Sequence, residues 1–350
     1  MARMRYTILG RSGLRVSELC LGTMTFGEDW GFGAPPAECR RQWDAFVAAG
    51  GNFIDTANLY TNGSSEKIVG ELIAADRERV VLATKYALMT RPGDPNSAGS
   101  HRKNLVQAVE ASLRRLGTPY IDLLWLHAWD ATTPPVEVMR ALDDLVRTGK
   151  VLHVGASDTP AWVVAQCNTI AELRGWTPFV SIQIEYSLIE RTVERELVPM
   201  ARAYDLPICA WGAIGGGVLS GKYSRGGDTR PADSRRVDGN QRRINERSLA
   251  VARTVDAIAD ELDVPSTTVA LAWVRAQGNV IPIVGARTTA QLADSLRSTE
   301  LTLSPAQLAR LDEVSRVPLG FPHDFMHLDH VRRNVWSDQL DRLDWIRRER

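Results

Sequence analysis

The stretch Phe53–Glu66, FIDTANLYTNGSSE, decides the fold. A short apolar run ends in Asp55, a turn delivers Tyr60, and Asn62-Gly63-Ser64-Ser65 follow. Asn62-Gly63 reads as the turn away from a strand end. Ser64 or Ser65 is the expected N-cap of the next helix, with Glu66 in its first turn, where a negative charge suits the helix dipole. A strand that ends in an acid and a phenol and runs straight into a helix has the layout of an active-site loop on a parallel sheet.

The same strand-then-helix pattern recurs on either side. An opening hairpin, YTILGRSGLRVSEL, turns at Gly10 and Ser12-Gly13. Strands are expected at Leu19–Gly22, Asn52–Asp55, Val80–Lys85, Ile121–His127, Val151–Ser157, Phe179–Ile184, Leu206–Trp211 and Val280–Gly285. Amphipathic stretches separate them, among them Ala37–Ala49, Arg102–Leu116, Pro135–Thr148, Pro160–Arg174 and Arg191–Tyr204. No composition break marks a linker. The alternation therefore predicts one α/β domain over residues 1–350, a (β/α)8 TIM barrel with an N-terminal β-hairpin and a C-terminal extension from about residue 317. A doubly wound sheet would carry GxGxxG after its first strand, and no strand here is followed by it. Polar groups instead gather at strand ends, at Asp55, Lys85, His127, Ser157-Asp158, Gln183 and Trp211, where barrel enzymes build their sites.

Composition bounds the function. The chain has 350 residues, 44% apolar, with 42 Lys and Arg balancing 42 Asp and Glu, so a large core is available and no electrostatic pull toward nucleic acid is evident. Cys20, Cys39, Cys167 and Cys209 are scattered without a CxxC pair, which predicts no disulfide framework or zinc site and suits a reducing cytoplasm. No apolar run approaches the ~18 residues of a membrane span, and the first residues lack the core of a signal peptide. A soluble, cytoplasmic protein acting on a small molecule is the expectation, with a homo-oligomer possible.

In a parallel barrel, Asp55, Tyr60, Lys85 and His127 converge on one mouth. A phenol, with an ordinary pKa near 10, donates a proton poorly at neutral pH unless a cation stabilises its phenolate. Lys85 can do so, Asp55 can keep the ammonium charged and oriented, and His127 can hydrogen-bond a substrate oxygen. Such a quartet would polarise a carbonyl and protonate its oxygen as a nucleophile adds to its carbon.

With these residues the chain resembles the aldo-keto reductase superfamily along nearly its whole length. LGRSGLRVSELCLGTMTFG, DTANLYTNGSSE, VVLATKY, LLWLHAWD, VGASD, QIEYSLIE, GGGVLSGKY and IPIVGARTTAQL stand in the family's order, and they look most like the bacterial branch related to potassium-channel β-subunits. The resemblance implies a catalytic tetrad of Asp55, Tyr60, Lys85 and His127, Tyr60 as general acid, and hydride from NADPH. It places Gly22, Thr23, Ser157 and Gln183 at the nicotinamide, with Trp211 stacked on it. The family usually has asparagine where this chain has Asp158, which can accept from the carboxamide nitrogen but, when ionised, cannot donate to its oxygen. Relatives commonly read serine-proline-leucine where Gly212-Ala213-Ile214 stands. Gly215 and Gly217, with Leu219 and Lys222, form the implied diphosphate turn. Gly285, Arg287 and Gln291 lie at a helix start suited to an adenosine 2′-phosphate, with Ser295 in place of the adenine-contacting asparagine.

Some features compete with this assignment. GGVLSGKY falls one residue short of a phosphate loop, since Tyr223 stands where Ser or Thr would hold magnesium. The basic segment Ser224–Ser248 reads as a solvated loop, and only the resemblance has it fold over the cofactor. His323, His327 and His330 have metal-like spacing, but the flanks repeat no known site and no metal is expected. Substrate choice falls to loops, with Trp30, Phe32, Tyr86 and Trp129 as pocket candidates. The tail, with Phe325 and Trp336, could cover the cleft or contact another subunit. The expected reaction is NADPH-dependent reduction of an aldehyde or ketone. The alternatives are an NADP(H)-sensing module with little turnover and a tailoring oxidoreductase for natural products or sugars.

Overall fold

The computed structural model describes residues 4–226 and 241–337, together with residues 339 and 342. Two strands, β1 (Tyr6–Ile8) and β2 (Arg15–Ser17), pair antiparallel as the opening hairpin. Eight more form a closed parallel barrel: β3 (Cys20–Gly22), β4 (Phe53–Asp55), β5 (Val81–Tyr86), β6 (Ile121–Leu126), β7 (Val151–Ser157), β8 (Phe179–Glu185), β9 (Ile208–Trp211) and β10 (Val280–Val284). The barrel closes where Ile283 pairs with Cys20 and Val284 with Leu21. Every expected strand is present, with ends moved by at most two residues. This is a (β/α)8 barrel with an N-terminal hairpin.

The two-residue alternation of a strand sorts each one into an inner and an outer face. Cys20, Phe53, Ala83, Trp125, Cys209 and Ile281 belong to the barrel interior, while Leu21, Ile54, Leu82, Leu124, Ala210 and Val284 pack against the helices. Gly155 makes room for the largest interior ring, since a Cβ there would stand 2.4 Å from Trp125. The hairpin's Leu9 and Val16 join the interior cluster and plug the N-terminal end. Gly10 is required at that turn: its φ is +58°, and a Cβ would meet the Val180 carbonyl oxygen at 2.1 Å. With the bottom sealed, the open end is the C-terminal one.

Local chemistry sets the helix bounds. The helix Arg102–Leu116 begins where His101 accepts the Asn104 N–H at 3.2 Å and ends at Gly117 in the left-handed region, φ +61°. The helix expected over Arg191–Tyr204 is interrupted. Thr192–Glu194 is a 3-10 turn and the α-helix covers Leu197–Ala203, because Arg191 is buried and anchored to Glu194 at 2.7 Å and to Asp312 at 2.8 Å. Beyond the helix Pro305–Ser315, the extension contains two short helices, His323–Met326 and Asp329–Trp336. No helix among the described residues is long and apolar enough to cross a membrane.

Candidate active site

The alternation that fills the barrel also builds the site. On successive strands the next inward residue after Cys20 is Gly22, after Phe53 it is Asp55, after Ala83 Lys85, after Trp125 His127, after Cys209 Trp211, and after Ile281 Ile283. Asp55, His127, Ser157, Gln183 and Trp211 thus line one cavity of about 590 Å3, together with Gly22, Thr23, Trp30, Phe32, Tyr60, Asp158, Gly212 and Gly285. Lys85 lies beneath them. Its ammonium is fully buried and donates to Asp55 Oδ2, to the Thr56 carbonyl at 2.9 Å and to Tyr60 Oη at 3.1 Å. The second Asp55 oxygen accepts from Gln183 Nε2 at 3.0 Å.

The electrostatics follow from this contact set. Burial alone would lower the Lys85 pKa, but Asp55 and Tyr60 outweigh it and hold the ammonium charged, above its usual range. Burial raises Tyr60 above the ordinary tyrosine value, while Lys85 pulls the other way. Its phenol is therefore protonated at neutral pH, beside a cation that can receive the negative charge when the proton leaves. Burial and the Lys85 charge both drive the His127 pKa down, to about 2, so the imidazole is neutral. Its Nδ1 has no partner, and its ring meets Tyr60 edge-on with centroids 6.0 Å apart. A buried acid, a buried cation beside it and a neutral imidazole at the cavity wall can together hold and protonate a substrate oxygen.

The Tyr60 turn is more strained than its sequence suggests. Thr61 and Asn62 both have left-handed backbone, φ +45° and +55°. The expected cap at Ser64 or Ser65 is replaced: Gly63 precedes the helix Ser64–Ile73, and Thr61 Oγ1 accepts the Ser65 N–H at 2.9 Å while donating to the Phe26 carbonyl at 2.8 Å. Glu66 lies in the first turn of that helix, as expected, and is there a buried brace, bonded to Thr84 at 2.6 Å and to Arg115 at 2.6 Å. It ties the helix that follows Tyr60 to the strand that bears Lys85.

A nicotinamide nucleotide fits the residues around the cavity. Ser157 Oγ is buried and lacks a hydrogen-bond partner, and the half-buried Trp211 ring borders the same space. Nearby, Gly215, Gly216 and Gly217 all have positive φ, at 58°, 64° and 96°, along the 3-10 stretch Gly215–Ser220; Gly215 and Gly217 are buried and Gly216 lines the cavity. Leu219 is buried under that turn, and the Lys222 ammonium lies 3.0 Å from where a Gly217 Cβ would be. Arg287 is exposed just ahead of the helix Thr289–Leu296, its N–H bonded to Gln291 Oε1 at 3.0 Å.

Two of the pocket candidates do not line the cavity. Tyr86 follows Lys85 and therefore faces outward; it is fully buried against the helices, donates to the Ser100 carbonyl at 3.4 Å and does not line the cavity. Trp129 packs on the same outer core and is not among the residues that line the cavity. Ser295 is buried and donates its hydroxyl to the Gln291 carbonyl at 3.2 Å.

Other residues enter the site unannounced. Arg243, from the basic segment, reaches the cavity and forks onto Glu185 at 2.9 and 2.6 Å. The middle of that segment, 227–240, lies outside the described residues. Leu59, Leu88 and Ile283 complete the apolar wall. Phe325 and His323 stand away from it, His323 paired with Glu196 at 3.0 Å. No group of three or more His, Cys, Asp or Glu side chains among the described residues is arranged to hold a metal.

A closed eight-stranded parallel barrel with a buried Lys-Asp-Tyr group and a neutral histidine at its C-terminal mouth defines a class of oxidoreductase. The aldo/keto reductase family model matches residues 18–316, and the chain belongs to that family. It is similar to norsolorinic acid reductase of Aspergillus flavus, 37% identical with 95% of this chain and 87% of the relative covered. It is likewise similar to the aldo-keto reductase ausK of Aspergillus calidoustus (37%; 93% and 85% covered) and to aryl-alcohol dehydrogenase [NADP(+)] of Phanerodontia chrysosporium (36%; 89% and 86% covered). These relatives are fungal reductases and dehydrogenases, and they do not support the bacterial, channel-subunit-like branch that the sequence words suggested.

Proposed function

We propose that this aldo-keto reductase uses NADPH to reduce an aromatic aldehyde or ketone to the alcohol, with Tyr60 as the proton donor. When bound, the reduced nicotinamide supplies hydride to the carbonyl carbon. His127, whose neutral imidazole lines the cavity, directs the carbonyl oxygen toward Tyr60. Tyr60 gives its phenolic proton to that oxygen as negative charge builds there, and the charge left on Tyr60 is taken up by Lys85 at 3.1 Å. Asp55 keeps Lys85 in place throughout, and in the reverse direction the tyrosinate accepts the alcohol proton.

The observation that carries this assignment is the bond from a fully buried lysine to the Tyr60 oxygen within one cavity. Preference for the 2′-phosphorylated cofactor rests on Arg287 ahead of a helix N-terminus and on the NADP(+) in one relative's name. An aromatic substrate is supported by Trp30 and Phe32, with centroids 6.0 Å apart, which wall the cavity beside Leu59 and Leu88. One relative's name, aryl-alcohol dehydrogenase, agrees with it. The test is oxidation of bound NADPH, followed by stopped-flow absorbance on mixing with an aromatic aldehyde. Rapid oxidation with formation of the alcohol is expected; NADPH that binds and stays reduced against a panel of carbonyls would point to a sensing module instead.

A further inference from the structure

One carboxylate in the cavity has no part in the chemistry above. Asp158 follows β7 directly with a left-handed backbone, φ +43°, and lines the same cavity as Tyr60, His127, Gln183 and Trp211. Its Oδ1 accepts the Trp211 indole N–H at 3.0 Å. That bond fixes the indole at the cavity edge and at the same time sets a carboxylate against the wall on which a nicotinamide would stack. The cations nearby are otherwise engaged: Lys85 is held by Asp55, Thr56 and Tyr60, and Arg243 by Glu185. Among the described residues the hydrogen-bond donor to the Asp158 carboxylate is a neutral indole and no cation bonds it; Lys85 favours its charge from a distance and Glu185 opposes it, so part of that charge acts on whatever fills the cavity.

The two redox forms of a nicotinamide differ there by one charge, since the oxidised ring is cationic and the reduced ring neutral. Their phosphates and adenosine are the same, so contacts outside the ring discriminate little. We propose that Asp158 makes the site charge-selective, its carboxylate binding the oxidised cofactor more tightly than the reduced one. The inference rests on a nicotinamide occupying this cavity. Tighter holding of the oxidised form makes the bound reduced form the stronger hydride donor, and a tenfold change in the binding ratio corresponds to about 30 mV in a two-electron couple.

Calorimetric titration of NADP+ and NADPH into the wild-type protein, Asp158→Asn and Asp158→Gly tests this without turnover. Asparagine keeps the size and an acceptor for the indole, and both replacements tolerate left-handed backbone. The ratio of the NADP+ to the NADPH dissociation constant is expected to rise roughly five- to tenfold in both variants, as loss of one partly buried charge pair predicts. Equal weakening of the two forms, the mark of a merely structural role, or an unchanged ratio overturns the inference while leaving the nicotinamide assignment standing. Failure of the wild-type protein to bind either form overturns both.

Discussion

Replacing Lys85 by methionine keeps its volume and removes its charge, and the consequences for stability and turnover separate. Lys85 and Asp55 are 0% and 3% exposed at their side chains, and Lys85 also reaches the Thr56 carbonyl at 2.9 Å and Tyr60 at 3.1 Å. Without it, Asp55 keeps the Gln183 amide at 3.0 Å and no cation. Leaving one partner of a buried ion pair uncompensated costs about 3–5 kcal/mol. For 350 residues the unfolding entropy is roughly 0.7 kcal/mol/K, so the melting temperature should fall by about 4–7 °C. Asp55→Asn added to Lys85→Met removes the stranded charge and should restore about 1–3 kcal/mol. Turnover should not recover, because Tyr60 still lacks the cation that takes its charge; a loss of roughly 100-fold or more is expected in both variants. The assays are urea unfolding of the four members of the cycle and steady-state aldehyde reduction. A single variant as stable as the wild type, or a double variant destabilised by the sum of the two single effects, would refute the coupling.

Acid should unmask His127. Its folded pKa, about 2, lies below the unfolded value near 6.5, so its contribution to stability is complete above pH 6.5 and drains away as pH falls toward 2, by at most ~1.4 kcal/mol per unit. Urea unfolding between pH 7 and 4 should therefore show a shallower decline for His127→Asn than for the wild type, and parallel curves would contradict this. Arg287→Ala should weaken NADPH roughly 10- to 100-fold while changing NADH within about twofold, measured by titration. Equal losses for both would remove the 2′-phosphate role. Trp30→Ala deletes a ring whose centroid is 6.3 Å from that of Tyr60, and the KM for a two-ring aromatic aldehyde should rise about tenfold while a short aliphatic aldehyde is little affected. A uniform change across both substrates would exclude ring recognition.

Strand parity explains which parts of the site were readable from the chain. Asp55, Lys85, His127 and Trp211 each lie two residues past an interior side chain, so locating the strand ends was enough to bring them to one mouth. Tyr86 failed by the same rule, because one residue beyond Lys85 the side chain turns toward the helices. The cap of the helix after Tyr60 is not legible, because Thr61, in a left-handed conformation, supplies the acceptor four residues ahead of Ser65, a geometry that the string NGSSE does not display. Arg243 looked like one charge in a solvated run; only its partner Glu185, 58 residues away in the chain, brings it to the cavity. Long-range pairings of this kind leave no local periodicity to read.

The central claim is that Tyr60 supplies the proton, and Tyr60→Phe tests it most directly, since one oxygen is removed and the ring contacts to Trp30 and His127 are kept. NADPH affinity, measured by titration, should stay within about threefold, and reduction of an aromatic aldehyde by the same preparation should fall roughly 10²- to 10⁴-fold. Turnover within tenfold of the wild type, with cofactor binding intact, would place the proton donor elsewhere.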